Sequence, residues 1–189
     1  MDMEKIVFLD RDGTICIEKN LMSSKDEIEL LPRVGEAIKL LNDNNYNVVI
    51  VSNQPVVARG LCSEETVQEM NAYLEGLLKQ DGAKIDRIYY CPHHPTKGDD
   101  PKYTRECDCR KPKPGMLLKA KEDLGLVSLA DCYIVGDTIG DIRAGDLAGC
   151  KTILVRTGHG GNEGFNDATP MFTENDLYDA VVNIILQKK

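Results

Sequence analysis

Residues 6–14 read Ile6-Val7-Phe8-Leu9-Asp10-Arg11-Asp12-Gly13-Thr14, an apolar run that ends on two aspartates and a glycine. A short continuous apolar run of this kind predicts a strand buried on both faces. Residues two apart in an extended segment project to the same side. Asp10 and Asp12 therefore leave the carboxyl end of that strand together, and Gly13 lets the chain break sharply. Two carboxylates this close repel, so a cation or a proton must sit between them. That suits an aspartate nucleophile with Mg²⁺ beside it and a second aspartate handling protons. In isolation the same residues also make a solvated Asp-Gly turn, so the rest of the chain decides.

Outward from this strand, apolar runs and amphipathic stretches alternate. Residues 48–51, 85–90, 133–135 and 153–155 predict further strands. Val34, Ala37, Ile38 and Leu41 recur at helical spacing, and Ser63 is an N-cap for a helix over 64–79 with an acidic first turn. Pro114 opens another helix, with Met116, Leu117, Ala120 and Leu124 on one face and Gly125 as its stop. Leu177, Ala180, Val181, Ile184 and Ile185 form an apolar stripe on the last helix. Strands separated by helices predict an α/β fold, a doubly wound (Rossmann-like) parallel sheet with helices on both faces. In that architecture ligands bind at the carboxyl ends of the strands, where Asp10 and Asp12 fall.

The chain of 189 residues suits one domain over 1–189. Its net charge of −8 and lack of a basic block argue against a nucleic-acid or anionic-membrane surface. The first residues lack the pattern of a signal peptide, and no run reaches membrane-spanning length, so a cytoplasmic protein, a monomer, is expected. The odd count of seven cysteines in that setting argues against a disulfide framework. Cys16, Cys62, Cys132 and Cys150 read as small, partly buried thiols.

Three more strand ends carry chemical groups. The strand at 48–51 delivers Ser52, Asn53 and Gln54, whose hydroxyl and amides suit a phosphoryl oxygen; a turn or cap is the plainer use of such residues. The strand at 133–135 leads to Asp137 and Asp141, a second acidic pair that would complete an oxygen-rich Mg²⁺ site. The segment Cys109-Arg110-Lys111-Pro112-Lys113-Pro114 is stiffened by its prolines. There Arg110 can grip a phosphate with two hydrogen bonds, and Lys111 or Lys113 supplies a point charge. Finally, Cys91, His93 or His94, Cys107 and Cys109 make a closed tetrahedral zinc site with no open position, which is structural. Residues 95–106 are too polar to pack by themselves, so a zinc ion would staple the loop over 91–109 and pin Arg110 and Lys111 next to it.

The aspartate pair, the hydroxyl after the second strand, the lysine and the second acidic pair, in this order, resemble the haloacid-dehalogenase-like phosphohydrolase superfamily over about residues 6–156. The resemblance implies that Asp10 is the nucleophile and forms an aspartyl-phosphate, and that Asp12 protonates the leaving oxygen and then activates water. Ser52 and Lys111 would orient and neutralise the phosphoryl group. Mg²⁺ would be held by the Asp10 carboxylate, the Asp12 main-chain carbonyl and Asp137, with Asp141 ligating or supporting.

The zinc loop within this fold is similar to that of the D-glycero-D-manno-heptose 1,7-bisphosphate 7-phosphatases and the related histidinol-phosphate phosphatases. The matching stretches are 8–15, 51–54 with Ala58-Arg59-Gly60, 89–95, 107–117, 135–137 and 154–158. This resemblance implies a compact loop in place of a large cap domain, and the interval from Asp10 to Ser52 leaves no room for one. It implies that His93 ligates zinc, and that Ser52, Asn53, Gln54, Arg59 and Arg110 line a small phosphorylated sugar, with Arg110 on the phosphate that is not cleaved. Heptose bisphosphate is preferred to histidinol phosphate because a second anion site is present and because the latter enzymes are often fused to a dehydratase. A phosphoacceptor signalling domain would need the same acidic pair and lysine, but Asp12 adds the acid/base group that makes turnover fast. Two departures stand out: Pro55-Val56-Val57 where a glycine-containing segment is expected, and Thr138 where these enzymes commonly place a lysine. The segment Gly158-His159-Gly160-Gly161 reads as a mobile loop bordering the substrate.

Overall fold

A computed structural model describes residues 5–164 and 167–187. Its centre is a six-stranded sheet of β1 (Lys5–Leu9), β2 (Tyr46–Asn53), β3 (Arg87–Cys91), β4 (Tyr133–Gly136), β5 (Lys151–Val155) and β6 (Phe172–Glu174). The spatial order is β3-β2-β1-β4-β5-β6, with every pairing parallel. Helices α1 (Val34–Asp43), α2 (Glu64–Gln80), α3 (Gly115–Asp123), α4 (Ile139–Ala148) and α5 (Leu177–Ala180) connect or follow the strands.

Alternation along the strands divides the core in two. Val7, Leu9, Val48, Ile50, Val135 and Ile153 pack with the apolar stripes of α1, α2 and α5. Ile6, Phe8, Val49, Val51 and Ile134 face the other way, onto Met116, Leu117 and Ala120 of α3 and Ala144 of α4. The sheet is doubly wound because its strands are apolar on both sides, so each face requires a cover of helices. The order reverses at β1, whose neighbours β2 and β4 leave it in opposite directions, and this creates the crevice in which ligands of such folds bind. Between β1 and β2 lie only α1 and a 3₁₀ turn at Lys25–Glu27, so no cap domain is inserted there.

Several boundaries differ from the sequence reading. The third strand begins at Arg87, not at residue 85, because the Asp86 carboxylate takes the main-chain N–H of Val48 at 2.8 Å and replaces a ladder acceptor. Strand β6 reads Phe-Thr-Glu and carries no apolar run; it forms by pairing with β5 at the sheet edge. The last helix is capped by Asp176 and passes after one turn into a π turn at Val181–Ile185, which keeps Leu177, Ala180, Val181 and Ile185 buried. Val56 and Val57 are buried against Val67, with Tyr90 and Tyr103 packed on them. The unexpected apolar pair after Gln54 thus supplies a seat for the loop that carries Tyr103. No described helix is long and apolar enough to cross a membrane.

Candidate active site and metal centres

The crevice beside β1 collects side chains from four strand ends. Asp10 is anchored by its main-chain N–H to the carbonyl of Val135 (3.0 Å) on β4. Gly13 follows with φ +89°, and a Cβ there would lie 2.2 Å from Asp137 Oδ2. Glycine is therefore required both by the turn and by the carboxylate packed against it. Asp10, Asp137 and Asp141 are all buried, and their carboxylate oxygens lie within 4.8 Å of one another.

Lys111 joins this group from the loop after β3. Its Nζ donates to Asp10 Oδ1 and to the carbonyl of Val51, each at 2.6 Å. The same ammonium lies 2.5 Å from Asp141 Oδ1, close in charge but off the hydrogen-bonding direction. Asn53, at the end of β2, fixes the lysine backbone reciprocally: its Nδ2 donates to the carbonyl of Lys111 and its Oδ1 accepts from the amide, both at 3.0 Å. Lys113, the other sequence candidate, is exposed and pairs with Glu106 and Asp108. Asp141 is held from its second oxygen, Oδ2, by the hydroxyl (2.5 Å) and amide (3.1 Å) of Thr138 in a capping box at the start of α4. Here Thr138 positions an acid of the site.

Asp12 turns away from this group. Arg11 grips it with a fork, Nε to Oδ1 at 2.7 Å and Nη2 to Oδ2 at 2.9 Å, and Gln54 donates to Oδ2 at 2.9 Å. Gln54 also donates to the buried hydroxyl of Ser52 at 2.8 Å. The glycine-rich segment after β5 is a strap across Asp137, not a free loop. The amide of His159 donates to Asp137 Oδ2 (2.7 Å) and that of Gly161 to the Asp137 carbonyl (2.8 Å). Sequence reasoning missed this because main-chain donors leave no signature in the residue type; the His159 side chain itself is exposed.

Charge accounts for the character of the centre. Three buried carboxylates face one ammonium, a deficit of positive charge. Burial pushes Asp10 up to about 7, with Asp141 and Asp12 adding to it and Lys111 opposing. Burial and the nearby Asp10 and Asp141 push Asp137 up to about 9. Burial works against the charged form of Lys111, but Asp10 and Asp141 outweigh it and raise its pKa. Asp137 Oδ1 is buried with no hydrogen-bond partner among the described residues. An orphaned carboxylate oxygen within an all-oxygen acidic cluster fits a hard divalent cation such as Mg²⁺.

A second cluster ends at Cys109, two residues before Lys111. Cys91, His93, Cys107 and Cys109 bring their ligand atoms together: the three sulfur pairs are 3.2–3.5 Å apart, and His93 Nδ1 is 3.3 Å from Cys109 Sγ and 3.6 Å from Cys91 Sγ. A zinc ion with sulfur at about 2.3 Å gives tetrahedral edges near ~3.8 Å, so the four residues fit it with a small expansion. His94 is turned elsewhere, accepting from the amides of Thr96 and Lys97. Arg110 donates to the carbonyl of His93 at 3.2 Å. Burial lowers the pKa of both Arg110 and His94; Arg59 lowers each of them further, and Arg110 and Lys97 also act on His94. Arg59, Lys97 and Arg110 thus bring positive charge around His94 in a chain that is acidic overall. The exposed Arg59 makes no side-chain hydrogen bond among the described residues.

An aspartate at the switch point, an ion-paired lysine from the third strand's loop and an acidic pair after β4 define a phosphohydrolase of the haloacid-dehalogenase-like class. A family model described as HAD-hydrolase-like matches residues 108–180. The D-glycero-beta-D-manno-heptose-1,7-bisphosphate 7-phosphatase of Haemophilus ducreyi is 43% identical over 157 residues, 82% of this chain and 85% of that protein. The D-glycero-D-manno-heptose-1,7-bisphosphate 7-phosphatase of Chlorobaculum tepidum is 39% identical over 98% of this chain and 96% of its own length. Among solved structures, the D,D-heptose 1,7-bisphosphate phosphatase of B. bronchiseptica, complexed with magnesium and phosphate, superposes with a TM-score of 0.82. It is 33% identical, over 96% of this chain and 98% of that one. The chain belongs to the D-glycero-D-manno-heptose-1,7-bisphosphate 7-phosphatase family, and it is a phosphatase.

Proposed function

We propose that this protein removes the 7-phosphate of D-glycero-D-manno-heptose 1,7-bisphosphate in the synthesis of nucleotide-activated heptose. The observation that carries the substrate is Arg110, half-buried next to the lysine that touches Asp10 and held by its donation to the carbonyl of His93 at 3.2 Å. A bisphosphate needs a second anion site, and Arg110, held to the loop through the His93 carbonyl, would provide one. The relatives named above carry heptose bisphosphate in their names, which favours this substrate over histidinol phosphate.

In the first half-reaction an Asp10 carboxylate oxygen attacks phosphorus, the bond from phosphorus to the sugar oxygen breaks, and Asp12 gives its proton to that oxygen. In the second, Asp12 takes a proton from water as the water attacks the aspartyl-phosphate; the phosphorus–Asp10 bond breaks and inorganic phosphate leaves. Lys111 and the Ser52 hydroxyl orient and neutralise the transferring group, while Asn53 keeps Lys111 in place and, with Gln54, borders the substrate. Asp10, the Asp12 carbonyl and Asp137, with Asp141 in support, would hold Mg²⁺, which would supply charge neutralisation between two anions. Cys91, His93, Cys107 and Cys109 would hold zinc, which would do no chemistry and would staple the loop. The protein acts in the cytoplasm as a monomer, without nucleic acid or membrane.

Phosphate release with Mg²⁺ from the α and β anomers of the heptose bisphosphate and from L-histidinol phosphate tests this. One heptose anomer should exceed histidinol phosphate by about a hundredfold in kcat/KM, a difference of ~2.7 kcal/mol in transition-state binding. A preference for histidinol phosphate would refute the substrate and leave the chemistry intact.

A further inference from the structure

Arg11 is wholly buried, and nothing in the reaction as described above uses it. A buried guanidinium without partners is costly, so its contacts report what it is for. Nε and Nη2 clasp Asp12, and Nη1 donates to Oδ1 of Asn71 at 3.1 Å. Asn71 is itself a buried polar residue on the core-facing side of α2, between Val67, Met70 and Leu74. A helix interior that is otherwise apolar there offers one amide, and that amide is spent on Arg11.

The orientation of Asp12 follows from this arrangement. A carboxylate has four lone-pair positions. The Arg11 fork occupies one on each oxygen, and Gln54 occupies the second on Oδ2. The second lone pair of Oδ1 is left open. We infer that Asn71 is a positioning residue for the phosphatase reaction: through Arg11 it sets the plane of the Asp12 carboxylate, so that Oδ1 is the atom that exchanges a proton with the leaving group. A guanidinium bound by a single neighbouring carboxylate could swing with it. Bound also to α2, it is a fixed bracket.

The inference rests on Asp12 being the acid/base, and leaving-group dependence separates the two ideas. The ratio kcat/KM ends at departure of the leaving group and omits the shared dephosphorylation step. A sugar alkoxide needs a proton to leave; p-nitrophenolate does not. In Asp12→Asn, kcat/KM for the heptose bisphosphate should fall 10²- to 10⁴-fold more than for p-nitrophenyl phosphate, the range a positioned proton donor contributes. In Asn71→Leu, which removes only the acceptor of Arg11, the extra fall should be about tenfold, a fraction of that range. Asn71→Asp keeps an oxygen where Arg11 needs one and should hold the wild-type ratio of the two substrates to within about threefold. A packing defect alone would lower both substrates together, so an equal fall in Asn71→Leu, or none, overturns the positioning role. An equal fall in Asp12→Asn refutes the acid/base assignment itself, and the positioning role with it.

Discussion

The two clusters of residues that could hold a metal ion lie side by side and are built in opposite ways. The carboxylate centre is assembled by the sheet. Asp10 ends β1, Asn53 ends β2, Asp137 follows β4, and the strap from β5 donates into it; their order comes from main-chain pairing deep in the core. The cysteine–histidine cluster draws all four ligands from residues 91–109, and much of the intervening loop is exposed. Its packing comes from Tyr103 on Val56 and Val57, with the Tyr103 hydroxyl on Glu64 at 2.7 Å, from Gly98 close against the Ala58 carbonyl, and from the three cysteines on the core beneath α3. One centre is a scaffold to which a cation would be added. In the other, a bound zinc ion would itself be the scaffold.

This contrast predicts that substitutions will separate activity from order. Asp10→Asn should lower kcat by on the order of 10⁴ or more, as loss of a nucleophile does. It should leave Tm unchanged or higher, since a buried carboxylate in an electronegative site is lost; circular dichroism beside phosphate release reads both. Cys107→Ser should do the reverse. Structural zinc contributes about 10–16 kcal/mol apparent in small zinc peptides, so residues 92–108 should lose amide protection in hydrogen exchange while β1 and β4 keep theirs. With Arg110 unpinned, KM for the bisphosphate should rise more than kcat falls. If the whole sheet loses protection together, the two regions are not independent.

A smaller effect is carried by pH. In the metal-free centre Asp10 and Asp137 sit at about 7 and about 9, above their ordinary value of 3.8. Folded protein then holds protons that the unfolded chain releases above about pH 4, so stability falls as pH rises from there through 7 to 9. Mg²⁺ bound to these anions should flatten or invert this slope. Tm from pH 5 to 9, in zinc-loaded protein with and without Mg²⁺ and with no chelator, measures it. The smallest effect belongs to the start of α2: Ser63→Ala removes the cap of that helix, at 3.2 Å from the amide of Thr66. It should cost ~1 kcal/mol, or about 2–4 °C in Tm for a chain of this size, with kcat unchanged.

What could be read from the sequence follows the same division. Asp10 and Asp12 after an apolar run, and cysteines two residues apart, are local patterns whose chemistry is carried by residue type. The alternating strands and helices were legible for that reason too, since both faces of β1 and β2 are apolar. Strand β6 was not, because Phe-Thr-Glu becomes a strand only by lying against β5. The strap over Asp137 works through amides that any residue possesses. Arg11 was visible between the two aspartates but had no assignable role, because its partner Asn71 is sixty residues away on α2. Thr138 and Val56-Val57 read as departures from a family pattern; in the fold, one caps α4 and holds Asp141, and the other seats the zinc loop.

The most direct test of the account is ³¹P NMR of D-glycero-D-manno-heptose 1,7-bisphosphate incubated with zinc-loaded protein and Mg²⁺. The account predicts that the 7-phosphate resonance is replaced by inorganic phosphate while the 1-phosphate resonance persists. Release of the 1-phosphate, or an unchanged spectrum with both metals bound, would contradict it.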